Sequence, residues 1–159
     1  MPKMVSLREI TSDNRDAVRR LAVAPGQEVF VSSIDTSLEE AASSPDARPW
    51  YRVIYAGDQP VGFVMLSFDM PPGNPEQPWR YFLWRLLIDA RYQRQGYGRA
   101  AMALVTDVVR RSPGGTDLFT SVHPGEGSPA PFYRSLGFRV TGEWFAGEEV
   151  YRLALGPGR

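Results

Sequence analysis

A turn of glycines and basic residues, Tyr92-Gln93-Arg94-Gln95-Gly96-Tyr97-Gly98-Arg99, follows the apolar run Leu86-Leu87-Ile88 and leads into Ala100 and the rest of a helical stretch. Its chemistry is that of an anion cradle. The first turn of a helix carries main-chain N–H groups with no partner inside the helix, at the positive end of the helix dipole. Glycines at 96 and 98 allow close approach of the backbone to a diphosphate, and Arg94 and Arg99 can add charge-assisted hydrogen bonds. As a generic glycine loop, the same residues serve equally as a plain helix start with solvated arginines, because short motifs match by chance. Two other phosphate-binding patterns do not fit. Arg99, Ala100 and Ala101 follow Gly98, so there is no Gly-x-Gly-x-x-Gly, and no Gly-Lys-Ser/Thr is present.

These residues need a scaffold. Trp79 to Ile88 reads as a strand buried on both faces, Arg91 to Gly98 as a loop, and Arg99 to Arg111 as a helix with Ala100, Ala103, Leu104 and Val108 along one side. Ser112-Pro113-Gly114-Gly115 stops that helix. Upstream, Met4 to Ile10 reads as a strand, and Thr11 to Asn14 cap a helix ending near Pro25-Gly26. Gln27 to Ser44 is a second helical region. Trp50 to Tyr55 and Val61 to Phe68 form a hairpin. Met70 to Pro78, with four prolines and a glycine, is a loop. Downstream come a strand at Leu118 to Val122, a loop at Pro124 to Ser128 and a short helix at Pro129 to Leu136. Two antiparallel strands, Phe138 to Trp144 and Glu149 to Leu155, turn around Ala146-Gly147. The order β-α-α-β-β-β-α-β-α-β-β predicts one mixed sheet with helices against its faces.

Composition bounds the function. A chain of 159 residues suits a single domain. A formal net charge of zero and a pI near 6.6 exclude the strongly basic footprint of a general nucleic-acid binder. With no cysteine and one histidine, thiolate metal sites and disulfides are excluded, and only carboxylates remain as metal ligands, so no metal is expected. Met1 to Arg8 shows no secretory h-region, and no apolar run approaches the roughly 20 residues of a membrane span. The expectation is a soluble, cytoplasmic protein with neither nucleic acid nor membrane as partner.

The spacing Gln93-x-x-Gly96-x-Gly98 resembles the acetyl-CoA pyrophosphate signature of the GNAT N-acetyltransferase superfamily. Phe132-Tyr133-Arg134-Ser135-Leu136-Gly137-Phe138 resembles that family's second landmark, a helix with tyrosine four positions before a Gly-Phe pair. The order of elements is similar too, so the likeness spans nearly the whole chain. The resemblance implies an α/β (α+β) fold: a single mixed, mostly antiparallel sheet, helices on both faces and a splayed central strand pair, with Asp89 where it opens. It implies acetyl-CoA as co-substrate, its pyrophosphate held along Gln93, Arg94, Gln95, Gly96, Tyr97, Gly98 and Arg99. The backbone of Leu87 and Ile88 would pair with the pantetheine arm. Tyr133 would be the general acid for the departing thiolate, since a phenol with a pKa near 10 is protonated at neutral pH; the alternative is a half-buried packing residue on a short helix. The family's helix usually starts with asparagine, and Ser128-Pro129-Ala130-Pro131 stands there instead. His123, Glu126 and Asp89 are rival bases.

Within the superfamily, Asp13-Asn14-Arg15, Gly62-Phe63-Val64-Met65, Trp84 to Asp89 and Gly142-Glu143 resemble bacterial spermidine/spermine (diamine) acetyltransferases. A polyamine pocket needs carboxylates and aromatic walls. Glu28, Asp35, Glu39 and Glu40 lie in the second helical region, and Glu28, beside Phe30, is the preferred amine contact; each also reads as part of a solvated face. A protein N-terminus, an amino acid or an antibiotic amine would use the same donor machinery, and a non-catalytic acyl-CoA sensor would keep the cradle without turnover. The C-terminal strands with Trp144-Phe145 would suit pairing in a homodimer.

Overall fold

A computed structural model describes residues 3–156; Met1 and Pro2, part of the stretch read above for a targeting signal, lie outside them. One sheet organises the chain. Its seven strands are β1 (Val5–Arg8), β2 (Pro49–Ala56), β3 (Gln59–Ser67), β4 (Phe82–Ile88), β5 (Asp117–Val122), β6 (Arg139–Phe145) and β7 (Glu148–Ala154), in the order β1-β2-β3-β4-β5-β7-β6. Only β4 and β5 run parallel; every other neighbouring pair is antiparallel.

The four α-helices divide between the two faces. Helices α1 (Arg15–Arg19) and α2 (Ile34–Ser43) cover Val53, Tyr55, Phe63, Met65 and Leu87. Helices α3 (Tyr97–Arg110) and α4 (Ala130–Ser135) cover Ile54, Val64, Leu66, Tyr81, Leu83, Leu118 and Tyr151. Alternation along β2 sends Val53 and Tyr55 to one layer and Ile54 and Ala56 to the other, so this strand is apolar on both sides. A third cluster has Trp79 stacked on Phe82, with Phe119, Phe145 and Val150 beside them. It fills the α1/α2 face of the sheet at its β5–β7–β6 end.

The sequence reading changes in three places. The second helical region is a 3-10 turn at Gln27–Val29 followed by α2, and α1 is shorter than the capping residues suggest. The segment between Ala22 and Ser32 is therefore largely irregular. Trp79 precedes β4 rather than opening it. The buried stripe of α3 is Ala101, Met102, Val105 and Val109, while Leu104 is exposed. Residues 100 to 105 are all apolar, so periodicity alone does not select the inward side. Gly98 does: it faces Phe132 and Ile88, and positions 98, 101, 102, 105 and 109 share that side.

Candidate active site

The sheet opens at one place. β4 and β5 pair only through Phe82↔Phe119 and Leu83↔Thr120, and beyond that rung they part. β4 bulges there: Met65 opposes Arg85 and Leu66 opposes Leu83, leaving Trp84 as the extra residue. A bulge bends and twists its strand, which carries β4 away from its neighbour. Buried Thr120 closes the last rung, its Oγ1 donating to the Leu83 carbonyl at 3.0 Å.

The opening thus begins at Leu83, not at Asp89. Asp89 is a structural tie. The residue is 3% exposed, and its carboxylate accepts from the amides of Ala22 (2.9 Å) and Arg91 (2.9 Å) and from Arg91 Nε (2.8 Å). Burial opposes its charge, but these donors outweigh burial and hold the carboxyl below its ordinary range. A carboxylate held this way is a poor proton acceptor. That removes Asp89 from the candidate bases.

Register identifies the free edge of β4. The amide of Asp89 donates to the Val61 carbonyl at 2.8 Å, so the main-chain groups of Asp89 and Leu87 face β3, and those of Leu86 and Ile88 face the gap. The position of Gly62 agrees, since a Cβ there would collide with the Leu87 carbonyl oxygen. Leu86 and Ile88 line the gap, whereas Leu87 is buried under α1 and α2. The expectation of a free edge at Leu87 and Ile88 is corrected to Leu86 and Ile88.

The gap widens into a cleft of about 630 Å³, walled by Val23, Gln27, Phe30 and Val31 on one side and Ser128, Phe132 and Tyr133 on another. Its end is the glycine turn. Gly96 caps α3 with φ of 84°, a left-handed conformation that glycine adopts without strain; a Cβ there would meet nothing, so the requirement is conformational. At Gly98 the requirement is space, because a Cβ would stand 3.3 Å from Phe132. Among the described residues, the amides from Arg94 to Arg99 have no hydrogen-bond acceptor. Arg94, Tyr97 and Arg99 also line the cleft, and Arg99 Nη2 donates to Ser135 Oγ at 2.8 Å. Gln95 is exposed and does not line it. Gln93 turns its amide inward, donating to the Ile88 carbonyl (2.9 Å) and to Gln27 Oε1 (2.8 Å). It pins the turn to the strand and to the irregular segment after α1.

The second landmark has a physical basis in the end of α4. Gly137, at φ of 106°, lets the chain reverse, and the amide of Phe138 returns to the Tyr133 carbonyl at 3.1 Å. The Phe138 ring then packs edge-on against Tyr133, with centroids 5.4 Å apart. Tyr133 is buried, and its hydroxyl has no hydrogen-bond partner among the described residues. Burial, and after it the charge of Glu148, push its pKa upward, so the phenol is protonated throughout the neutral range.

Tyr133 is also a wall of a second, smaller cavity of about 180 Å³ on the other side of the fork. Glu28, Phe30, Trp84, Arg85, Ser121, His123 and Glu148 line it. Arg85 is largely buried and pairs with Glu40 at 2.6 Å; burial lowers its pKa while Glu40 and Glu148 hold the charge in place. Glu28 reaches the cavity but is exposed, and its Oε2 accepts from the Gly26 amide at 2.7 Å. His123 Nδ1 lies 2.9 Å from the Pro124 carbonyl. A carbonyl only accepts, so Nδ1 carries the proton and Nε2 is the free position. Glu126 lines neither cavity, nor does any residue of the proline-rich loop 70–78.

Glu148 is absent from the reading of the sequence alone. Ala146 and Gly147 both have positive φ (50° and 80°) and form a tight hairpin turn that sets Glu148 opposite Phe145. Alternation then places Glu148 on the face of Val150 and of Ser121, whose Oγ donates to Glu148 Oε1 at 2.6 Å. The signal was available in the turn and the period of two. It makes Glu148 the acid at the border of a patch otherwise built from Trp79, Phe82, Phe119, Phe145 and Val150.

Known proteins resemble this chain in sequence and in fold. The model of the acetyltransferase (GNAT) family matches residues 7–138. Over 147 residues the chain is 27% identical to the spermine/spermidine N(1)-acetyltransferase of Bacillus subtilis (strain 168), covering 92% of this chain and 95% of that one. Its fold is similar to that of an acetyltransferase from Thermus thermophilus, with a TM-score of 0.72 and 19% identity over 97% of this chain and 99% of that chain. It is also similar to the PaiA N-acetyltransferase of Thermoplasma acidophilum in complex with coenzyme A, with a TM-score of 0.66 and 12% identity over 95% and 99% of the two chains. Among the described residues, no group of histidines and acids is arranged to hold a metal ion, and no helix is long and apolar enough to cross a membrane. The family match spans the parted strands, the left-handed glycine cap and the tyrosine helix, and the chain belongs to the GNAT family of acetyltransferases.

Proposed function

We propose that this enzyme, in the cytoplasm, transfers the acetyl group of acetyl-CoA to a primary amine of a small polyamine. The observation that carries this reading is the meeting of two unlike cavities at Tyr133. One ends in unpaired amides and arginines; the other is bordered by Glu28 and Glu148 and walled by Phe30 and Trp84. A diphosphate suits the first and an ammonium on a hydrocarbon chain suits the second. The amides of residues 94–99 hold the pyrophosphate, with Arg94 and Arg99 beside it. The open edge of β4, at the Leu86 main chain and the Ile88 N–H, pairs with the amides of the pantetheine arm, which bridges the space vacated by β5.

This path delivers the thioester to the fork, where the acceptor nitrogen attacks its carbonyl carbon. The C–N bond forms and the C–S bond breaks. Tyr133 gives its phenolic proton to the departing sulfur and recovers one from the acetylated nitrogen. The name of the Bacillus relative favours a polyamine over an amino acid, and the acid-lined second cavity agrees. The test is product analysis by mass spectrometry after incubation with acetyl-CoA and separate acceptors: spermidine, spermine, single amino acids and a peptide with a free N-terminus. Acetylation of the polyamines at the highest kcat/KM is expected. Preference for the peptide or an amino acid would overturn the polyamine assignment, and absence of any product would overturn the catalytic one.

A further inference from the structure

The irregular segment from Ala22 to Ser32 and the strand end at Glu148 close the acceptor cavity from opposite sides, and their acids are in different states. Glu28 is exposed and has one oxygen committed to the Gly26 amide. Glu148 is half-buried, with Oε1 fixed by Ser121 and Oε2 free of any hydrogen bond among the described residues. The remaining charged and titratable groups around Glu148 are Arg85 on β4, already paired with Glu40 from α2, His123 at the exposed end of β5, and Tyr133 on α4. A carboxylate bordering an aromatic patch is costly to stability, and Arg85, the cation whose charge it helps to hold, is already paired with Glu40. Such local conflicts with good packing mark functional positions.

We propose that Glu148 receives the reacting ammonium of the acceptor beside Tyr133 and takes its proton, releasing the neutral amine that attacks the thioester. The inference rests on the polyamine acetyltransferase reading above. The proton balance closes. An ammonium N–H is broken and its proton goes to Glu148 Oε2; the neutral amine forms the C–N bond. The C–S bond breaks, and the thiolate takes the Tyr133 proton. Tyr133 is restored by the second proton of the nitrogen, and Glu148 returns its proton to water past His123.

The electrostatics support this order. Glu148 is the charge that adds to burial in holding the Tyr133 proton. Protonation of Glu148 removes that charge, so Tyr133 becomes a better acid at the step that needs one. The two residues then act in sequence rather than independently.

The variant Glu148→Gln keeps the Ser121 hydrogen bond and the volume of the side chain. Glu149→Gln, one position along and facing the other side of the sheet, is the control. With spermidine and acetyl-CoA near pH 7, Glu148→Gln is expected to lose kcat/KM by about a hundredfold, with acetyl-CoA affinity unchanged. Its rate is expected to recover as pH rises toward the pKa of the amine, which then supplies its own neutral form. The control is expected to stay within about twofold. An unchanged kcat/KM in Glu148→Gln, or a loss that does not recover in alkaline solution, would overturn the role of Glu148 while wild-type turnover leaves the polyamine reading standing. If wild type acetylates no polyamine, the reading and this inference fail together, and the wild-type reaction alone reveals it.

Discussion

The donor side and the acceptor side of this enzyme are built on different plans. The cradle is contiguous: Gln93 to Arg99 form one turn, its backbone set by the left-handed Gly96 and the start of α3. The acceptor cavity is dispersed, drawing on the segment before α2, both parted strands, α4 and the first residue of β7. A main-chain site needs only local conformation, so it can be written in a short motif. A side-chain site depends on register across the sheet, and its residues are free to differ from one enzyme to another.

The sharpest way to break the donor half is Gly96→Glu. It forces a non-glycine residue to φ of 84° and sets a carboxylate beside the phosphates. Affinity for acetyl-CoA measured by calorimetry is expected to fall by about a hundredfold or more, whereas Gly96→Ala, with open space around it, bears only the conformational cost of about 1–2 kcal/mol. At the junction of the halves, Tyr133→Phe is expected to lower kcat by about a hundredfold while acetyl-CoA affinity stays within about threefold. Unchanged kcat would take Tyr133 out of the mechanism.

The tie between the halves is tested by stability rather than rate. Asp89→Asn weakens the charged hydrogen bonds to Ala22 and Arg91 and is expected to cost about 2 kcal/mol at pH 7, read as a lower denaturant midpoint. The folded carboxyl sits below its ordinary value, so its contribution is present above a pH of about 4. It is lost as pH falls through the folded pKa, and the gap between wild type and variant should narrow in acid. An unchanged gap would assign the loss to packing. The smallest effect is expected at Glu28→Gln. That side chain is exposed and already bonded to Gly26, so KM for the amine should shift by less than about threefold; a larger change would move the amine site toward the segment before α2.

The same division explains what could be read without coordinates. The mixed sheet with helices against its faces follows from element order, and the parted strand pair from the family resemblance carried by two motifs, each with a local physical cause: the left-handed cap at Gly96 and the reversal at Gly137. Three features needed pairing information. The free edge belongs to Leu86 and Ile88 because the Val61–Asp89 bond sets the phase of β4. The opening lies at Leu83 because a bulge at Trp84 places it there. Glu148 lines the second cavity because a two-residue turn fixes which face it shares with Ser121. Glu28, the choice from the sequence, borders the second cavity but is exposed and has one oxygen committed. A helical reading of Gln27 to Ser44 could not show that.

The central claim is that the amides of the turn around Gly96 converge on a diphosphate. Amide proton–nitrogen NMR spectra of the full chain, titrated separately with coenzyme A and with pantetheine, test it most directly. Coenzyme A is expected to shift the amides of residues 94–99 most strongly, and pantetheine, which lacks the diphosphate, to shift Leu86, Ile88 and Tyr133 while leaving those of the turn in place. Coenzyme A binding that leaves the turn unmoved, or pantetheine shifting it equally, would contradict the account.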